Sequence, residues 1–115
     1  MKITQVETLR LGEFPNLVWV RLHTDEGLVG LGETLMGAEA VEAYVHEWAA
    51  PRLVGQDPLA IERHFYMMSA TQYSFIAHIP TVSGIDIALW DLAGKILGMP
   101  IYRLLGGPLR KEIPI

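Results

Sequence analysis

The chain has no cysteine, which excludes a disulfide scaffold, a thiolate zinc site and a cysteine nucleophile. Charge is sparse: 19% of the residues are Asp, Glu, Lys or Arg, and 9 basic side chains against 13 acidic ones leave a formal net charge of −4. This mild acidity argues against nucleic acid and anionic membrane as partners, because both select a cationic surface. No apolar run approaches the ~20 residues of a membrane span. The opening Met1-Lys2-Ile3-Thr4 lacks a secretory pattern, so a cytoplasmic domain is expected. Repeats, low-complexity tracts and charge runs are missing as well. Apolar residues are plentiful, making up half of the 115 positions. That excludes disorder and supports one domain, which at this size buries roughly two-thirds of its unfolded surface.

Two textures divide the chain. Up to about residue 33 it is rich in Val, Thr and Leu, and the pattern predicts a meander of three strands. The first covers Lys2 to Leu11, and Gly12-Glu13-Phe14-Pro15-Asn16 then supplies loop chemistry. Val18 to Thr24 alternates cleanly, with Val18, Val20 and Leu22 on one face and Trp19, Arg21 and His23 on the other. Thr24-Asp25-Glu26-Gly27 is a hairpin signal, and the return strand runs from about Leu28 to Glu33.

From residue 38 to about 105 the period is helical. Val41, Tyr44, Val45 and Trp48 form the apolar stripe of a first helix, which Pro51 ends or kinks. Gly55 stops that segment, and Asp57-Pro58 reads as N-cap and first residue of a second helix with Ile61, Phe65 and Met68 inward. A third helix is predicted from about Pro80 to Leu97. It carries one apolar row of Val82, Ile85, Leu89, Leu92 and Ile96, and another of Ile87, Trp90 and Leu97. A helix apolar on two faces lies between layers. A three-stranded sheet covers only one of them, so a further layer is expected.

Few residues invite a chemical reading. Gly27-x-x-Gly30-x-Gly32 follows a strand and precedes a helix, but the last glycine of a dinucleotide fingerprint is replaced by Leu35. Glycines that admit a neighbouring backbone or a ligand are the favoured explanation. Asp86 and Asp91 are about 140° apart around a helix, so they do not converge on one substrate. Asp91 stands four before Lys95, the spacing of a helix ion pair. His23, His46, His64 and His78 show no metal-ligand spacing. His46, four after Glu42, reads as its surface partner. Glu33 at a strand end and His78 in a loop are candidates for a pocket rim. These residues alone give an α+β domain, strands first and helices after, without a self-sufficient active site.

The run Val82-Ser83-Gly84-Ile85-Asp86-Ile87-Ala88-Leu89-Trp90-Asp91-Leu92-Ala93-Gly94-Lys95, followed by Gly98-Met99-Pro100 and Leu104-Leu105-Gly106-Gly107, strongly resembles the enolase superfamily. The likeness is to its mandelate racemase and muconate lactonizing branch. Thr24-Asp25-Glu26-Gly27-Leu28-Val29-Gly30-Leu31-Gly32-Glu33 and Gly55-Gln56-Asp57-Pro58 extend it over essentially the whole chain. The resemblance implies an α+β N-terminal capping domain over residues 1–111, a three-stranded antiparallel meander followed by a helical bundle. Residues 112–115 would begin the first strand of a (β/α)7β barrel. In that family the barrel carries Mg2+ and the bases that remove a proton α to a carboxylate, so no metal ligand or catalytic base is implied within these residues. The capping domain contributes two loops that close over a carboxylate-bearing small molecule. Here they map onto Gly12 to Leu17 and Thr34 to Ala38, with Phe14, Pro15, Met36 and Ala38 as the substrate-contacting candidates.

The stretch Gly32 to Glu47 looks most like acid-sugar dehydratases. Racemases, epimerases and cycloisomerases share the fold, and homo-oligomers are expected. A reading of another class is a stand-alone binding or assembly module that pairs through Ile87, Trp90 and Leu97.

Overall fold

The computed structural model describes residues 1–35, 37–70 and 75–115, with the backbone alone for 75–78. Strands β1 (Ile3–Leu9), β2 (Leu17–Thr24) and β3 (Val29–Leu35) form an antiparallel sheet in the order β1-β2-β3, the predicted meander. β1 is shorter than predicted, and β3 runs two residues further, to Leu35. The predicted alternation of β2 holds. Val18, Val20 and Leu22 are fully buried, whereas Trp19, Arg21 and His23 line the outer face. Each fully buried Val or Leu contributes about 1.5–3 kcal/mol to such a core.

On the outer face Glu7 lies opposite Arg21. Its carboxylate accepts hydrogen bonds from Arg21 Nη2 at 2.6 Å and Nε at 2.9 Å, and lies 2.9 Å from His23 Nε2. The His23 and Arg21 hydrogen bonds hold the Glu7 carboxyl below its ordinary value of 4.5.

The first predicted helix is a continuous rod of three parts, α1 (Ala38–Ala43), a π-helical segment (Tyr44–Ala49) and α2 (Ala50–Leu53). Pro51 does not end it. A proline ring clashes with the carbonyl four residues back in a regular helix. The widened segment, closed by Ala50 N–H on the Val45 carbonyl, lies just before it. Val41 and Val45 are buried, and Tyr44 and Trp48 stack at 5.2 Å between ring centroids. His46 does not pair with Glu42. It reaches Thr8 Oγ1 at 2.7 Å, while Glu42 pairs with Arg10 at 3.3 Å.

The second helix, α3 (Ile61–Ser69), starts later than Asp57-Pro58 implies. Asp57 instead builds a turn ahead of it, its side chain accepting the Leu59 N–H and its carbonyl accepting the Ala60 N–H. His64 takes the core position read as Phe65: His64 is 2% exposed and Phe65 44%. Its Nε2 donates to the Asp57 carbonyl at 2.8 Å, which satisfies the buried ring.

The third helix, α4 (Phe75–Leu97), begins before Pro80, which is therefore an interior residue. A short α5 (Ile101–Leu104) follows, and the remaining residues are turns, bends and chain without regular structure, with Leu109, Ile113 and Ile115 exposed. Val82, Ile85, Leu89 and Leu92 are buried as predicted, whereas Ile87 and Leu97 of the second row are exposed and Trp90 is partly so.

The glycines of β3 explain how α4 packs. A Cβ on Gly30 would collide with the Ala88 carbonyl, and one on Gly32 with the Gly84 carbonyl and the Ala88 nitrogen. Helix and strand thus meet backbone to backbone, and of the two approaches the glycines could admit, a neighbouring backbone is the one found. Beside this contact Asp91 accepts the Leu31 N–H at 2.8 Å, and Lys95 donates to the Val29 carbonyl at 2.6 Å while pairing with Asp91 at 2.7 Å.

Gly32→Ala is expected to destabilise the domain by about 3 kcal/mol in urea denaturation, because both obstructing atoms are main chain. Gly12→Ala, with open space around it, should stay within about 0.5 kcal/mol; equal effects would remove the close-approach account. The Glu7 network gives a second test. Its stabilisation is present above 4.5 and is lost as pH falls through the depressed folded value. Glu7→Gln should therefore lower stability at neutral pH and flatten its fall on acidification, as read by thermal melts from pH 7 to 3. A mutant curve parallel to that of the parent would contradict this.

Candidate functional site

The β1–β2 loop is made of two consecutive turns, closed by Phe14 N–H on the Leu11 carbonyl and Leu17 N–H on the Phe14 carbonyl, both at 3.0 Å. Phe14 stands out from these turns. It is 48% exposed, and Pro15 beside it is exposed as well.

The second loop leaves β3 at Leu35. Leu17 and Leu35 are cross-strand partners, so the end of β3 lies beside the start of β2 and the two loops share one end of the sheet. The hairpin turn with positive-φ Gly27 is at the other end. Gly37, at φ +67°, turns the chain into α1 and its carbonyl accepts the Val41 N–H. That left-handed geometry favours glycine.

The individual candidates fall in different places. Phe14 and Pro15 form an exposed apolar tip. Ala38 packs its methyl into the core and is 6% exposed. Met36 lies outside the described residues, as does the side chain of His78, whose backbone belongs to α4. Glu33 is exposed on the outer sheet face opposite Trp19 and has no ion-pair partner among the described residues.

Two residues the sequence reading passed over gather at the same end, Leu11 and Leu35, both exposed. Leu35 could have been found by extending the outward phase of β3 past Glu33. Leu11 could have been found by treating the loop as starting before Gly12. Together with Phe14 they form an apolar end that can exclude water but offers no proton-transfer group.

The two aspartates of α4 serve different neighbours. Asp91 belongs to the β3 edge. Asp86 stands in the middle of α4, and burial followed by the charge of Glu62 raises its carboxyl above the usual aspartate range, with a Trp90 hydrogen bond opposing. Among the described residues no three carboxylate or imidazole groups converge to hold a metal ion. An apolar groove between α3, α4 and α5, lined by Leu59, Ile61, Trp90, Leu97 and Leu104, lies along the second apolar row of α4. No helix among the described residues is long and apolar enough to cross a membrane.

Residues 8–106 match the family described as mandelate racemase / muconate lactonizing enzyme, N-terminal domain. A protein of Verminephrobacter eiseniae named D-galactonate dehydratase is 43% identical over 117 residues, spanning 98% of this chain and 30% of that protein. A D-galactonate dehydratase family member of Halomonas elongata, RspA, is 38% identical over 119 residues, spanning 100% and 30%. Among solved structures, an Agrobacterium tumefaciens enolase of the mandelate racemase subgroup superposes with a TM-score of 0.94 at 51% identity, covering 98% of this chain and 32% of that one. A Pantoea ananatis enolase with bound D-gluconate and Mg superposes with a TM-score of 0.85 at 39% identity, covering 95% and 28%. The chain spans about a third of the length of these relatives. The match takes in strands, loops and helices in one order, and the chain belongs to the mandelate racemase/muconate lactonizing enzyme N-terminal domain family.

Proposed function

We propose that this chain is the substrate-capping and specificity domain of a Mg2+-dependent enolase-superfamily enzyme that removes the proton α to a carboxylate and dehydrates an acid sugar. The observation that carries the reading is the pairing of Leu17 with Leu35, which brings both loops to one end of the sheet. The relatives give the substrate class. Proteins named D-galactonate dehydratase align along nearly the whole chain, and a neighbouring structure holds D-gluconate with Mg.

The described residues do not fit a metal site, so the metal and the bases are assigned to the segment that follows residue 111. Residues 112–115 open that segment as its first strand, and it covers Ile87, Trp90 and Leu97. The role of this chain is then environmental. Abstraction of an α-proton builds charge on the carboxylate, and fixed charges stabilise it best where water is excluded. Phe14, with Pro15, Leu11 and Leu35, forms an apolar lid edge with no group to compete for the developing charge. On this reading Met36 and Ala38 are the substrate-contacting candidates of the second loop, and Glu33 and His78 the candidates for the pocket rim.

In the protein carrying its C-terminal segment, Phe14→Ala is expected to lower kcat/KM for D-galactonate or D-gluconate about tenfold, the effect of losing part of one buried apolar contact in the transition state. Steady-state kinetics check this, and an unchanged kcat/KM on both acids would refute the loop assignment. Removal of Mg2+ with EDTA should abolish turnover and restored Mg2+ should return it; turnover that persists without metal would overturn the reaction class.

A further inference from the structure

The second loop is tied down at a point the family match does not explain. Thr34 is 4% exposed, a polar side chain inside the core between β3 and α4. Its hydroxyl donates to the Pro80 carbonyl at 2.6 Å, across 46 positions of sequence. The acceptor is a helix carbonyl and has no proton to give, so the donor is Thr34. The helix is shaped to receive it. A Cβ on Gly84, the next turn of α4, would stand 3.0 Å from Thr34 Cβ and 3.2 Å from its Cγ2, closer than ordinary contact.

Resting on the capping-domain reading above, we infer that Thr34 is a positioning residue whose hydroxyl pins the second capping loop to α4 and so sets the affinity for the carboxylate-bearing substrate. Position along the chain makes it the last anchor of β3. Lys95 and Asp91 fasten β3 to α4 at Val29 and Leu31. Thr34 repeats this at the strand's exit, one residue before its end at Leu35. On the far side of the loop, α1 starts at Ala38, whose methyl is in the core. Thr34 and Ala38 are thus buried points before and after the second loop. Releasing the first widens the arrangements open to the loop. A site whose competent arrangement is less populated binds more weakly by that fraction, without any change in the chemical step. Packing does not call for the hydroxyl, since valine has the same branched shape.

The test uses the full-length protein with Thr34→Val and Thr34→Ser, steady-state kinetics on D-galactonate and D-gluconate, and amide exchange of Leu35 and Gly37. Thr34→Val should raise KM about fivefold, the factor of one net hydrogen bond, with kcat within about twofold of the parent. Thr34→Ser keeps the donor and should restore KM to within about twofold. Exchange at Leu35 and Gly37 should quicken in the valine variant only. The inference is overturned by an unchanged KM in Thr34→Val, by equal increases in both variants, or by a fall in kcat that tracks a lowered Tm. If the parent turns over neither acid, the capping reading is what fails. Exchange then decides the anchor alone: quickening confined to valine supports it, and unchanged exchange removes it.

Discussion

The α4 helix meets β3 backbone to backbone, and this contact exists only because Gly30, Gly32 and Gly84 have no side chains. Layers of ordinary residues are held apart by their side chains, roughly 10 Å for stacked sheets. Here main-chain atoms touch, so the helix fits at one height on the strand and no register slip is tolerated. The rest of the inner core is a consequence. With α4 seated, Ile85, Leu89 and Leu92 reach the buried row of β2, and Val41 and Val45 of the first helical rod close the same core.

Close approach also settles the edge of the sheet. β3 has β2 on one side only, and an unpaired edge is a template for aggregation. Asp91 and Lys95 turn the i, i+4 ion pair of an ordinary helix surface into a clip, one taking the Leu31 N–H and the other the Val29 carbonyl. Both side chains are partly exposed, so the pair adds under about 1 kcal/mol as charge. Its larger effect is to occupy polar groups that another strand would otherwise bond.

Much of this was legible in the sequence because the signals were periodic. The alternation of β2, the inner row of α4 and the hairpin at Gly27 each follow from spacing and burial. The departures came from local chemistry that tertiary contacts overrode. Pro80 reads as a helix start by the rule that favours proline in a first turn, yet α4 extends beyond it. Pro51 reads as an end or a kink, and with the π-helical segment ahead of it the rod continues. His64 and Phe65 both lie on the inward side by spacing, and hydrophobicity favours the wrong one. What decides for histidine is the Asp57 carbonyl, exposed to it by the Asp-Pro turn. At the end of the sheet that carries the two loops, Phe14 and Pro15 were legible as loop residues, whereas Thr34 and Leu35, read as the start of the second loop, belong to a strand that runs two residues past Glu33.

On the proposed capping role, a domain whose described residues gather no metal-holding cluster acts on a reaction through the placement of its loops, and this fold restricts that placement closely. The loops spring from adjacent strands, and Leu17 and Leu35 are paired at their bases. The Arg10–Glu42 and Thr8–His46 contacts tie the approach to the first loop onto the helical rod into which the second loop runs. A shift of that rod therefore moves both loops together. Apolar tips on rigid bases lose little conformational freedom when they close on a ligand, so more of the contact energy is left for discrimination. If the chain has the proposed capping role, short turns, a buried tether and glycine-set layers are parts of one requirement, that the loops be ordered before a ligand arrives.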